Sequence, residues 1–223
     1  MINLTDLSKK LFLWLMLSVV LLSGCSSLPT NLSPISVNQV SEASIWEMTG
    51  KLAITAPNDK LSSNLYWLHT TSSDELTLTT MLGIRILSLT QKNGKARLTI
   101  DGKTYEDNNA QALLLNVTGW AIPIDALPLW ITGQPSPSDI VNIQDNQHRP
   151  INITTTQAVP PWSINYLSWQ QQNGTELPRL LTLNSDDIKI KIQINQWQAL
   201  APSNTYTDNP SSLHQMTHAE KIP

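Results

Sequence analysis

Ile188, Ile190, Ile192 and Ile194 alternate with Lys189, Lys191, Gln193 and Asn195. Successive side chains of a β-strand point to opposite faces, so this period of two describes a strand with one apolar and one solvated face. The pattern recurs. Trp46, Met48, Gly50, Leu52, Ile54 and Ala56 share a face opposite Glu47, Thr49, Lys51 and Thr55. Further runs cover 62–69, 75–80, 84–91, 95–100, 103–105, 138–143, 151–156, 161–170 and 179–184. Asn93-Gly94 and Asp101-Gly102 are hairpin signals, because the tight turns that join twisted strands need positive φ at both positions. The count is about eleven antiparallel strands, with no tandem repeat.

Two segments depart from that period. Between Asn108 and Gly119, Ala110, Leu113, Leu114 and Val117 fall at helical spacing, with Asn108 as the cap and Gly119 as the stop. Asp125 is then expected to cap a second helix through Leu127, Leu129, Trp130 and Ile131, ending at Gly133-Gln134-Pro135; Pro128 sits in its first turn, where a missing N–H costs little. A further short helix is expected around Val37–Ser44. Two helices inserted into a long antiparallel sheet imply that the sheet curves around them. The expected class is therefore mainly β with a few helices.

The front of the chain carries a different kind of information. Lys9 and Lys10 precede the apolar stretch Leu11–Leu22, which is shorter than the roughly 20 residues needed to cross a bilayer. Leu21-Leu22-Ser23-Gly24-Cys25 then forms a lipobox around the chain's only cysteine. This predicts cleavage before Cys25, an S-diacylglycerol thioether on its sulfur and an N-acyl chain on its amine. Two or more acyl chains anchor stably, at about 0.8 kcal/mol per buried methylene. Ser26 and Ser27 stand where an aspartate would retain a bacterial lipoprotein in the inner membrane, so the expected location is the outer membrane, facing the periplasm. The resulting organisation is a signal peptide over 1–24, a lipidated flexible tether over 25–37, one domain over 38–198 and a disordered tail over 199–223.

Removing 24 of 223 residues leaves 199, enough for one domain with a core. Asp6, Lys9 and Lys10 leave with the signal, taking the net charge from −3 to −4. A mildly acidic chain without a basic run is a poor nucleic-acid binder. Lipid consumes Cys25, so no thiol chemistry remains. Nor does an enzyme site emerge. Gly-x-Ser-x-Gly elbows and phosphate-binding loops are absent. Asp74-Glu75 and Asp186-Asp187 fall at expected turns, where carboxylates are ordinary. His69 and His148 stand alone, and His214 with His218 lacks a third ligand, so neither a metal nor a cofactor is expected.

The segments Trp46-x3-Gly50-Lys51-Leu52-Ala53 and Thr80-Met81-Leu82-Gly83, together with the string Thr118-Gly119-x2-Ile122-Pro123-Ile124-x2-Leu127-x2-Trp130-x2-Gly133-x-Pro135, resemble the LolB family of outer-membrane lipoproteins. The resemblance covers about residues 40–198. It implies an open antiparallel half-barrel of eleven strands, covered by helices and enclosing an apolar cavity for acyl chains. It further implies a receptor, likened in fold to the periplasmic carrier LolA, that accepts triacylated lipoproteins from that carrier. The clients' acyl chains would then pass into the inner leaflet of the outer membrane, with no reaction catalysed, and the protein is expected to be a monomer.

In such chains a protruding loop exposes a leucine; here the loop is 79–83 and the leucine Leu82, flanked by Met81 and Gly83. The residues alone leave two options: Met81 and Leu82 continue a buried strand, or they form an apolar tip able to touch a bilayer. Relatives often place Pro where Met81 stands. Trp46, Trp67, Trp130, Trp162, Leu113 and Val117 are the expected lining of an acyl cavity, although tryptophans on a sheet serve equally well as core. The rival function is a lipoprotein scaffold or assembly factor that binds a protein and has no acyl cavity.

Overall fold

Alternation and turn chemistry produce twelve strands in the computed structural model, which describes residues 31–203 apart from Asn58 and Gln157. The signal peptide, Cys25 and the segment from residue 204 onward lie outside the described residues. The strands are β1 (Leu32–Ile35), β2 (Trp46–Ala56), β3 (Asp59–His69), β4 (Ser73–Thr79), β5 (Arg85–Lys92), β6 (Lys95–Ile100), β7 (Lys103–Asp107), β8 (Asp139–Gln144), β9 (Pro150–Thr155), β10 (Ser163–Gln172), β11 (Thr175–Ser185) and β12 (Ile188–Pro202). Their order is β7-β6-β5-β4-β3-β2-β12-β11-β10-β9-β8, with β1 paired to β12 off that path. Two hairpin meanders, β2–β7 and β8–β12, thus meet in the middle along β2 and β12. The sheet is open, with β7 and β8 as its edges.

The expected count of eleven falls short by β1, which lies in the stretch read as tether. Leu32–Ile35 has no strong alternation, and its pairing is supplied by β12. At the other end β12 runs to Pro202, past the expected domain limit at 198, because Ala199 and Leu200 are buried there. The helix expected around Val37–Ser44 is a single 3-10 turn, Val40–Glu42. Asn93-Gly94 and Asp101-Gly102 both take positive φ, as hairpin turns require.

One face of the sheet is mainly apolar, and along β12 a bulge keeps it so. Ile190, Ile192 and Ile194 face inward with even numbers, whereas Trp197 and Ala199 do so with odd ones. A plain strand would turn the second set to solvent. Between Ile194 (opposite Gly50) and Gln196 (opposite Thr49) the register shifts, with Asn195 as the extra residue, and the parity is restored. Gly50 is what the close approach demands. A Cβ there would lie 2.2 Å from the Gln193 carbonyl oxygen.

Because β7 and β8 are the two edges and also consecutive in the chain, the segment between them must cross the sheet. It carries α1 (Ala110–Thr118) and α2 (Leu127–Ile131), and forms a strap over the apolar face. Contacts of α1 fall mainly on β6 and β7, and those of α2 mainly on β11. Asn109, not Asn108, caps α1, its side chain accepting from the Ala112 N–H at 2.7 Å. Gly119 ends that helix in the left-handed region, as expected. The second helix is shorter than expected and lacks the Asp125 cap. Asp125 Oδ1 instead accepts from Gln91 Nε2 at 3.2 Å, which ties the strap to β5.

Candidate functional site

Between strap and sheet lies a seam whose walls are wholly apolar. The sheet contributes Leu52 and Ile54 from β2, Leu76 and Leu78 from β4, Leu87 and Leu89 from β5, and Ile190 and Ile192 from β12; the strap contributes Leu114, Trp120, Ile122, Ile124 and Leu127. Each sheet pair is two residues apart, the spacing that puts neighbours on one face. The seam encloses a cavity of only about 40 Å³. That is room for a water or two by size, but an apolar wall offers no hydrogen bonds to hold one. In this state the apolar surfaces of sheet and strap cover each other.

A wider depression of about 750 Å³ lies at the β5–β7 edge. Lys92, Lys95, Arg97 and Glu106 are among its lining residues. Its polar walls suit water, not hydrocarbon.

The six residues expected to line an acyl cavity share one core cluster with the seam residues. Trp46, Trp67, Trp130, Trp162 and Leu113 are buried in the main core, and Val117 is half-buried against it. None lines the seam cavity, where the neighbouring Leu114 does. Polar handles fix two of the indoles. Trp67 Nε1 donates to Asp74 Oδ1 at 2.8 Å, and Trp46 stacks on His69 with ring centroids 4.9 Å apart. Trp130 Nε1 donates to Asp139 Oδ2 at 2.8 Å, and its carbonyl accepts from the Tyr166 hydroxyl at 2.9 Å. Burial, with the Asp139 charge second, pushes the Tyr166 hydroxyl well above the ordinary phenol range, so it stays a proton donor. A buried indole N–H needs an acceptor, and each carboxylate here meets that need. Asp74 therefore does more than form a turn, which the sequence reading missed.

At one end of the sheet the 79–83 loop is a hairpin tip. The Thr80 N–H donates to the Ile84 carbonyl at 2.8 Å and the Gly83 N–H to the Thr80 carbonyl at 3.0 Å. Gly83 closes the turn at φ +80°, a conformation that L side chains rarely adopt. Asn64 Nδ2, from β3, donates to the Thr80 carbonyl at 3.1 Å and braces the base. Met81 and Leu82 then occupy the two central positions of a tight turn, which point away from the sheet. Their exposures are 78% and 87%, and Ile84 beside them is 64% exposed. The alternative of a continuing buried strand does not hold. Exposing three large apolar side chains together at a braced tip marks a contact surface, since loop tips are ordinarily polar.

Among the described residues, no helix is long and apolar enough to cross a membrane. These features define a class: a mainly β protein with one open sheet, an apolar face under a strap, and an apolar turn displayed at one end. The model of a family described as outer membrane lipoprotein LolB matches residues 44–197. The outer-membrane lipoprotein LolB of Shewanella sediminis is 54% identical over 208 residues, covering 93% of this chain and 95% of that one. Its counterpart in Shewanella woodyi is 50% identical, covering 93% and 98%. A solved LolA superfamily protein from Nitrosomonas europaea superposes with a TM-score of 0.46 at 6% identity, over 70% of this chain and 86% of that one. The chain belongs to the LolB family of outer membrane lipoproteins.

Proposed function

We propose that the protein is an outer-membrane lipoprotein receptor: it takes the acyl chains of lipoproteins delivered by the periplasmic carrier LolA and releases them into the inner leaflet of the outer membrane. The observation that carries this is the seam, apolar on both walls and closed by a segment tied to the sheet's two edges. An acyl chain entering it replaces strap–sheet contact with chain–sheet and chain–strap contact, so little apolar surface meets water during the exchange. Each methylene kept from water is worth about 0.8 kcal/mol, and transfer follows the difference between two apolar sites and needs no catalysed step. The seam must widen to accept cargo, because its resting volume of about 40 Å³ falls short of a long acyl chain. Acylation of Cys25 holds the receptor at its destination, and the Met81–Gly83 turn meets the bilayer when the chains are handed on.

The test is a soluble Cys25→Ala form lacking residues 1–24, mixed with carrier preloaded with a lipoprotein. Co-purification of the client with this protein is the expected result. Failure of transfer from an active carrier to a folded sample would overturn the receptor assignment and favour a scaffold.

A further inference from the structure

We propose that the β9–β10 loop is a second membrane-contact point, acting with the Leu82 turn to seat one end of the sheet on a phospholipid surface. The inference rests on the bilayer role of Leu82 given above. Val159 is 97% exposed, the most solvent-facing of the large apolar side chains among the described residues. Its neighbours are Ala158, Pro160 and Pro161, and residues 158–162 contain no charge.

The loop is held out by a firm base. The Thr155 N–H donates to the Trp162 carbonyl at 3.0 Å, Trp162 is buried, and Thr156 Oγ1 donates to the Ser138 carbonyl at 2.8 Å. Ser185 Oγ donates to the Pro160 carbonyl at 3.3 Å, linking the loop to the β11–β12 turn. Val159 thus sits on a hydrogen-bonded support and stands almost fully exposed among the described residues.

Strand registers place both tips at the same end. Thr79, at the base of the Leu82 turn, lies opposite Asn64, which lies opposite Lys51 of β2. Ser163, at the base of the Val159 loop, lies opposite Asn184, then Lys189, then Thr55 of β2. The two bases therefore project onto β2 only four residues apart, and both loops leave toward the β2–β3 turn. Five strand spacings, about 24 Å measured along the sheet, separate β4 from β10. Two apolar points so spaced set an orientation that one point cannot. Charge offers no alternative explanation: Arg85 follows the Leu82 turn, whereas Asp186 and Asp187 flank the Val159 loop, so neither an anionic nor a cationic partner suits both.

The experiment uses the soluble Cys25→Ala form, which has no other cysteine. Leu82→Cys, Val159→Cys and Asn93→Cys are each labelled with an environment-sensitive fluorophore and mixed with phosphatidylcholine vesicles. Blue shifts at Leu82→Cys and Val159→Cys, unchanged by salt, with none at Asn93→Cys on the opposite end, are expected. Val159→Asp should lower vesicle partitioning about tenfold with an unchanged denaturation midpoint. A response at Leu82→Cys alone overturns this proposal and leaves the Leu82 role standing. No response at either site overturns both. A Val159→Cys signal that moves with the carrier and not with vesicles makes the loop a protein-docking point and overturns the proposal.

Discussion

Trp67 Nε1 and His69 Nδ1 converge on one oxygen, Asp74 Oδ1, at 2.8 and 2.7 Å. Asp74 lies opposite His69 on the paired strands β3 and β4, so the cross-strand register itself delivers the carboxylate to the buried indole. Asp74→Ala leaves that N–H without an acceptor, which should cost about 1–3 kcal/mol in urea denaturation. Asp74→Asn keeps an acceptor and should lose less. Equal losses for the two variants would show that the charge, not the hydrogen bond, is what matters.

Gly50 has no room for a side chain beside the Asn195 bulge. Gly50→Ala places a methyl 2.2 Å from the Gln193 carbonyl, and backbone on that side cannot swing away as a flexible side chain would. Thermal denaturation should report a loss of about 1–3 kcal/mol, the usual scale for overpacking. An unchanged midpoint would mean that the bulge relaxes freely.

Leu82→Glu alters a side chain that covers almost nothing within the protein. Its stability should match the parent's to within about 0.5 kcal/mol, as for other surface substitutions. Acceptance of a lipoprotein from the carrier should persist, while release into vesicles should fall by about one to two orders of magnitude, the equivalent of about 1.5–3 kcal/mol of lost leucine burial. Loss of folding would place Leu82 in the core and remove it from the membrane step.

Tyr66 supplies a pH dependence. Burial, together with the Glu47 carboxylate that accepts its hydroxyl at 3.3 Å, pushes its pKa from 10.0 up to about 12. The folded state therefore favours the neutral phenol. That contribution is fully present below pH 10 and is lost as pH rises toward 12. Denaturation midpoints should fall across that window, and Tyr66→Phe should flatten the fall. The phenol is partly solvated, so the effect should be modest.

Strands were the most legible part of the sequence, and particular residues show why. The isoleucines of β12 and the apolar positions of β2 alternate in plain view, because solvent and core impose opposite demands on neighbouring positions. β1 escaped notice since its partner, not its own pattern, makes it a strand. The shortened second helix was equally hidden: Asp125 has the chemistry of a cap, but Gln91, 34 residues away in the chain, claims its carboxylate. The cavity-facing set was the least legible. Leu113 and Leu114 are adjacent and both buried, yet only Leu114 reaches the seam, a distinction set by the path of the strap and not by hydropathy. The Leu82 turn was visible as an uncharged run, and its exposure follows from Thr80 and Gly83 closing a tight turn beneath it.

The strap joins opposite margins of a sheet that never closes. It is placed like the handle of a bucket: continuous with both rims, and held to β5 near its middle by the Asp125–Gln91 hydrogen bond. On the proposed function, its middle would rise to admit hydrocarbon, breaking the Asp125–Gln91 bond but leaving both edge strands in place, and the chain between the rims would limit how far. On that reading, cargo capacity depends on the number of residues from 108 to 138. Shortening that span should restrict which acyl chains fit before it disturbs the sheet beneath.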